Sequence, residues 1–219
     1  MNGHINAQHR NSFTESFEMI CHTVLISGYN MAIDDGKYDA DWKENSFTNY
    51  LASFMRKHEY VEQYHILIKV QIQEDNNNLP IDENDPDKQP IIDLWLANWY
   101  HTKNANEYFI EAKNLSENDW QKKSGSTVDA SKQRGRYINT GIDNFVSGRY
   151  PFGCLVGYVV QGKAHNIVNK LNELLKKRRR KTEILIKNQF IHNFETCYIS
   201  THLMSNKNSI HLKHIFLKF

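Results

Sequence analysis

An acid in the middle of an apolar run constrains this chain more than any other feature. Pro90-Ile91-Ile92-Asp93-Leu94-Trp95-Leu96 reads as a strand, with Asp93 between Ile92 and Leu94. A carboxylate in such a place is unfavourable unless it has a partner. A second run, Glu107-Tyr108-Phe109-Ile110-Glu111-Ala112-Lys113, follows after residues 98–106 and ends in an acid and a lysine two positions apart. Side chains alternate across a strand, so Glu111 and Lys113 share a face. Pairing of the two runs as a hairpin brings Asp93 beside them. Two carboxylates and one ammonium then converge at a sheet edge, a set suited to a hard divalent cation and a phosphodiester.

The surrounding pattern supplies the rest of a sheet. Residues 12–28 read as a helix with Phe13, Phe17, Ile20, Val24 and Leu25 on one face, Ser12 and Glu15 as a capping box, and Gly28 as the stop. Residues 29–43 read as a loop. A second helix spans 45–58 on Phe47, Tyr50, Leu51, Phe54 and Met55, with Glu44 just before it, where a carboxylate suits the helix dipole. Residues 64–73 alternate Tyr64, Ile66, Ile68, Val70 and Ile72 with polar positions and form the clearest strand. The Asn- and Asp-rich stretch 74–89 is a solvated loop. Beyond the two central runs, 114–128 is expected as a flexible loop around Ser124-Gly125-Ser126, and 129–147 as a helix stopped by Gly148. The near-continuous apolar run 152–160 predicts a strand buried on both faces. A helix over 163–177 ends in the basic run 176–181, where cations suit the helix dipole. A short strand over 182–186 and a hairpin closed by Asn206-Lys207-Asn208 complete the chain.

This order predicts an α/β fold: a three-layer α/β/α arrangement around a central mixed sheet, with a C-terminal β-hairpin added. The helical crossover lays the buried strand parallel to a neighbour. The expected division is a lead-in and helix over 1–29, a core over 44–188 and an extension over 189–219, all within one domain. Apolar residues at 40% are enough to build a core of that size, and a net charge of +2 confines any basic surface to a local patch. Cys21, Cys154 and Cys197 show no Cys-x-x-Cys spacing, which argues against a disulfide framework or a zinc site and fits a reducing cytosol. Residues 1–10 contain no apolar stretch of the secretory kind, and the longest apolar run is too short to span a bilayer. A cytoplasmic chain with no membrane partner is expected.

The tripeptide acid-x-Lys occurs three times, as Asp35-Gly36-Lys37, Asp41-Trp42-Lys43 and Glu111-Ala112-Lys113. The first two lie in a polar stretch. Only the third ends an apolar run and follows another run bearing an acid. With the helix glutamate before the meander and the helix and strand after it, residues 44–175 resemble the PD-(D/E)xK nuclease superfamily, whose fold is that of restriction endonucleases. Ile92-Asp93 stands where that family has Pro-Asp, with Pro90 just before. The resemblance implies an Mg²⁺-dependent endodeoxyribonuclease, with Mn²⁺ as a substitute ion and double-stranded DNA as substrate. Asp93, Glu111 and the main-chain carbonyl of Ala112 would be the metal ligands and Lys113 the catalytic lysine. Glu44 matches the family's helix glutamate, and Gln133 a polar helix position found in some members. The products would be a 5′-phosphate and a 3′-hydroxyl, and double-strand cleavage would call for a homodimer. Restriction or defence against foreign DNA is the setting the resemblance suggests.

Lys132, Arg134 and Arg136, on the helix after the motif, are the expected DNA-backbone contacts, with Lys122 and Lys123 on the loop before it. His202, His211 and His214 cluster in the tail, but His211 and His214 fall on opposite strand faces, so packing explains them better than a metal. The C-terminal hairpin is a candidate for dimerisation or DNA contact. Two rival readings stand beside the DNA nuclease: a non-catalytic binding or assembly module of the same fold, and an RNA-directed nuclease. A plain solvated Glu–Lys pair is the structural alternative for Glu111 and Lys113.

Overall fold

The computed structural model describes residues 7–73, 91–101, 104–150, 153–204 and 207–219. Pro90, the loop 74–89, the first six residues, Phe152 and Asn206 lie outside the described residues. Helix α1 (Ala7–Asp35) buries Phe17, Cys21, Val24, Leu25 and Ala32 along one face. It begins before Ser12 and passes through Gly28, in contrast to the expected span. A Cβ at Gly28 would stand 2.6 Å from Met55 Cγ and 2.9 Å from the Met55 nitrogen, so glycine serves here to let two helices approach. The true stop is Gly36, at φ 64°, whose N–H returns to the Ala32 carbonyl.

Helix α2 (Glu44–Met55) buries Phe47, Leu51, Ala52 and Met55 and carries Glu44 as its first residue. A short helix α3 (Glu59–Gln63), capped by the His58 side chain, replaces the start of the expected first strand. Strands β1 (Leu67–Gln73), β2 (Ile91–His101) and β3 (Asn104–Ser116) form an antiparallel meander. The polar stretch that follows is ordered: β4 (Trp120–Gln121) and β5 (Thr127–Val128) make a small separate hairpin around Gly125. Asp129 then caps α4 (Ala130–Arg136), which runs without a break into a π-helical turn (Tyr137–Ile142) and α5 (Asp143–Val146).

Strand β6 (Gly153–Gln161) is buried from Cys154 to Val160. Helix α6 (Ala164–Lys177) follows, then the two-residue β7 (Ile186–Lys187), β8 (Cys197–Leu203) and β9 (Ser209–Lys218). The large sheet has the order β1-β2-β3-β6-β9-β8-β7. β6 is parallel to both β3 and β9, and the other pairings are antiparallel, so the sheet is mixed as expected. The tail hairpin is part of this sheet rather than an addition to it. β9 lies between β6 and β8, with four consecutive buried residues, His214 to Leu217.

Alternation along β6 shows how helices come to flank the sheet. Cys154, Val156 and Tyr158 join a core built with α1 and α2, together with Leu94, Leu96, Tyr108 and Ile110. Leu155 and Val159 join a second core with Tyr137, Ile142, Phe145, Ile167 and Leu171 from the helices after the meander. A strand with a core on each face needs apolar residues at every position, which accounts for the uninterrupted run. Among the described residues no helix is long and apolar enough to cross a membrane.

Candidate active site between β2 and β3

The ladders of the meander change where the acids stand. Among the described residues β2 and β3 pair from His101–Asn104 down to Leu94–Ile110, while β3 continues alongside β6 to Ser116. Asp93 lies just past the last of these pairs. Its Oδ2 accepts the Ala112 N–H at 2.8 Å, so a side chain takes the place of a backbone acceptor. Its Oδ1 accepts from the Gln71 side-chain amide at 2.8 Å.

Lys113 projects its ammonium into this opening. Nζ lies 2.5 Å from Glu111 Oε1, 3.2 Å from Glu44 Oε1, 3.6 Å from Asp93 Oδ2 and 2.7 Å from the Ala112 carbonyl. Asp93, Glu111 and Lys113 are 5%, 4% and 5% exposed, so this is no solvated surface pair. The other oxygen of Glu44 accepts the Asn114 N–H, which ties the first turn of α2 to β3. The decoy tripeptide Asp35-Gly36-Lys37 makes an ion pair whose lysine is 79% exposed, as an isolated surface pair would.

Charge in the cluster is unbalanced, with three carboxylates around one ammonium. Burial, reinforced by Asp93 and only partly countered by Lys113, pushes Glu111 up to about 8. Burial also raises Glu44, against the pull of Lys113. Burial disfavours the Lys113 ammonium, but Glu111, Glu44 and Asp93 outweigh it and hold the lysine above its ordinary value. Among the described residues Glu111 Oε2 and, nearby, Asn114 Oδ1 are buried without a hydrogen bond of good geometry, although the Tyr150 hydroxyl interacts with the Glu111 carboxyl. Buried acceptors left unpaired are uncommon and call for an explanation.

These features fit a divalent ion in chemistry more than in present geometry. Asp93, Glu111 and the Ala112 carbonyl offer hard oxygen donors, all three already turned on one positive centre. Among the described residues, however, no three His, Cys, Asp or Glu side chains form a group ready to hold a metal. The carboxylates are arranged around an ammonium, and an ion could take that centre only with Lys113 displaced.

The other expected residues divide. Glu44, Lys113, Asn114, Gln133 and Arg136 line a cavity of about 120 Å³ beside the cluster. Gln133 reaches it while its Oε1 accepts from the Ser116 hydroxyl. Lys132 is exposed on α4. Arg134 is held by the Ser116 and Glu117 carbonyls, Lys122 by the Asp41 carbonyl and Lys123 by Asp39, so these three do not reach the cavity as placed. Residues not anticipated are Gln71, Asn114 and Tyr150. The buried Tyr150 donates to the Ile91 carbonyl, and its hydroxyl is raised by burial and by the nearby Glu111 and Asp93.

The tail histidines form a second buried polar system. His211 is exposed, while His202 and His214 are buried on β8 and β9. Glu183, His202, Ser200, His214 and Tyr137 are joined in that order by hydrogen bonds. Burial opposes ionisation of Glu183, but Arg180 and His202 outweigh it and keep it a carboxylate, able only to accept. Burial lowers both histidines, most strongly His214, so they are neutral. Every donor then follows: His202 Nδ1–H to Glu183, the Ser200 hydroxyl to His202 Nε2, His214 Nε2–H to Ser200, and the Tyr137 hydroxyl to His214 Nδ1. Comparison with protein-family models, with curated proteins and with solved structures finds no match to this chain.

Proposed function

We propose that this protein is a divalent-cation-dependent nuclease of restriction-endonuclease-like fold that hydrolyses DNA phosphodiester bonds. One observation carries the reading: Asp93, Glu111 and the Ala112 carbonyl all face a single buried positive centre, joined there by Glu44 from a different layer. The antiparallel meander, the helical crossover and the parallel β6 support the fold assignment.

Asp93, Glu111 and the Ala112 carbonyl would hold Mg²⁺, with Mn²⁺ as a substitute. When bound, the ion supplies a water of lowered pKa and offsets charge on the phosphate. Lys113, held as an ammonium on the same face of β3 as Glu111, would orient an attacking water and stabilise the charge that develops on the phosphate oxygens. Glu44 holds the Lys113 ammonium in reach. Arg136 and Gln133, at the cavity wall, receive the phosphate backbone, and Lys132 adds a more distant contact. Cleavage of both strands calls for two copies of the chain, one per strand. Cytoplasmic restriction or defence is the role this activity suits.

A second reading has its own observation. The Lys113 ammonium already fills the centre, so the cluster could be a finished ion network in a non-catalytic nucleic-acid-binding or assembly module. Incubation of the protein with duplex DNA, single-stranded DNA and RNA, each with Mg²⁺ and with EDTA, separates these. Mg²⁺-dependent cutting of duplex DNA that is lost in Asp93→Ala and Lys113→Ala supports the nuclease. Cutting only of RNA reassigns the substrate, and binding without cutting in any arm supports the module.

A further inference from the structure

We infer that Gln71 is a positioning residue that aims the Asp93 carboxylate, held in a strained backbone conformation for that purpose. The inference rests on the divalent-cation reading of the site.

The backbone points to it first. Among the described strand residues, Gln71 is the one non-glycine with φ in the left-handed region, at 53°. Side chains on L-residues crowd the backbone there, and such outliers persist only where the surroundings enforce them. The β1–β2 ladder is affected at the same point. It runs from Leu67–Ala97 to Val70–Leu94 and resumes at Ile72–Ile92, and the pair it omits is Gln71 with Asp93. A break of one residue with no shift of register alters the aim of a side chain and leaves the rest of the strand in place.

The side chains supply the reason. Gln71 Nε2 donates to Asp93 Oδ1 at 2.8 Å. A carboxylate can only accept, so the amide nitrogen must face it and the amide oxygen must face away. An amide N–H cannot ligate a cation, so Gln71 acts through Asp93. With Oδ1 held, Oδ2 is directed at the Ala112 N–H, 2.8 Å away, and toward the Lys113 ammonium. Gln71 and Ala112 therefore fix Asp93 from two strands. Ligating carboxylates are commonly oriented by such outer hydrogen bonds, and losing one weakens metal binding by roughly 10–100-fold.

The test uses the full chain and two readouts, Mn²⁺ affinity by titration calorimetry and melting temperature without metal. Gln71→Gly adopts the left-handed conformation freely but lacks the amide. The strain it relieves is set against the hydrogen bond that Asp93 Oδ1 loses, and it is expected to bind Mn²⁺ about 10–100-fold more weakly. Gln71→Asn tolerates the conformation and keeps an amide on a shorter arm, so it should recover part of the affinity. Unchanged Mn²⁺ affinity in Gln71→Gly overturns the inference. No recovery of affinity in Gln71→Asn overturns it as well, because the amide would then not be what directs Asp93. Absence of Mn²⁺ binding in wild type and Asp93→Ala alike overturns the cation reading itself and is told apart by the wild-type titration alone.

Discussion

Among the buried polar systems of the described residues, the one from Glu183 to Tyr137 and the one around Lys113 are built on opposite terms. In the system from Glu183 to Tyr137, each link has one donor and one acceptor, the histidines are neutral, and the terminal carboxylate is answered by Arg180. Around Lys113, three carboxylates share one ammonium, a buried oxygen has no hydrogen bond of good geometry, a neighbouring strand residue is strained, and a cavity opens alongside. The first arrangement is complete as it stands and joins β8 and β9 to the π-helical turn. The second favours a proton on Glu111. Saturation of hydrogen bonds marks a structural network; a deficit of positive charge beside a cavity is the feature on which the proposed cation site rests.

The largest expected effect separates the two systems by activity. Asp93→Ala and Lys113→Ala should each lower the rate of DNA cleavage by about 10²–10⁴-fold, in the range of a lost acid–base or charge-stabilising group. Ser200→Ala should leave the rate of the folded protein within a few-fold of wild type. Equal losses in both systems would erase the distinction.

Cation linkage comes next. At a divalent-ion concentration of one hundred times Kd, wild type should gain about 2.7 kcal/mol of stability, read as a rise in melting temperature. Asp93→Ala should gain nothing, and Ser200→Ala should gain as much as wild type. Stability itself should show the reverse pattern. Ser200→Ala strands His202 Nε2 and His214 Nε2–H in the core and should cost about 1–3 kcal/mol in chemical denaturation.

The dependence on pH follows from Glu111. Glu111 is raised from 4.5 to about 8, so between those values the folded chain holds a proton that the unfolded chain has lost. The contribution of this group to stability without metal is therefore greatest below about pH 4.5 and falls as pH rises to about 8, where it levels. Cation binding must expel that proton, so affinity should rise with pH and level above about 8. Glu111→Gln should remove the slope in both measurements.

Part of this contrast could be read from the chain alone. Period-two alternation put Glu111 and Lys113 on one face, hairpin pairing of the two apolar runs brought in Asp93, and only the resemblance to a nuclease superfamily brought in Glu44. Gln71 was not legible. Its partner is fixed by a register that crosses the long polar stretch 74–89, and no local pattern determines such a register. Gly28 was misread because a packing glycine and a stop glycine look alike until the second helix is in place. The tail looked like an addition, although Ile215-Phe216-Leu217 already had the two-faced apolar character of an inner strand. Lys122 and Lys123 appeared free because their partners, in the segment after α1, are far away in sequence.

The central claim is that the Lys113 ammonium occupies the place of a divalent ion. Crystals of the protein soaked in Mn²⁺ and measured for anomalous scattering test it directly. The expected result is a single peak within ligand distance of Asp93, Glu111 and the Ala112 carbonyl, with the Lys113 side chain moved off that centre. Saturating Mn²⁺ with no peak there, and Lys113 still between the carboxylates, would contradict it.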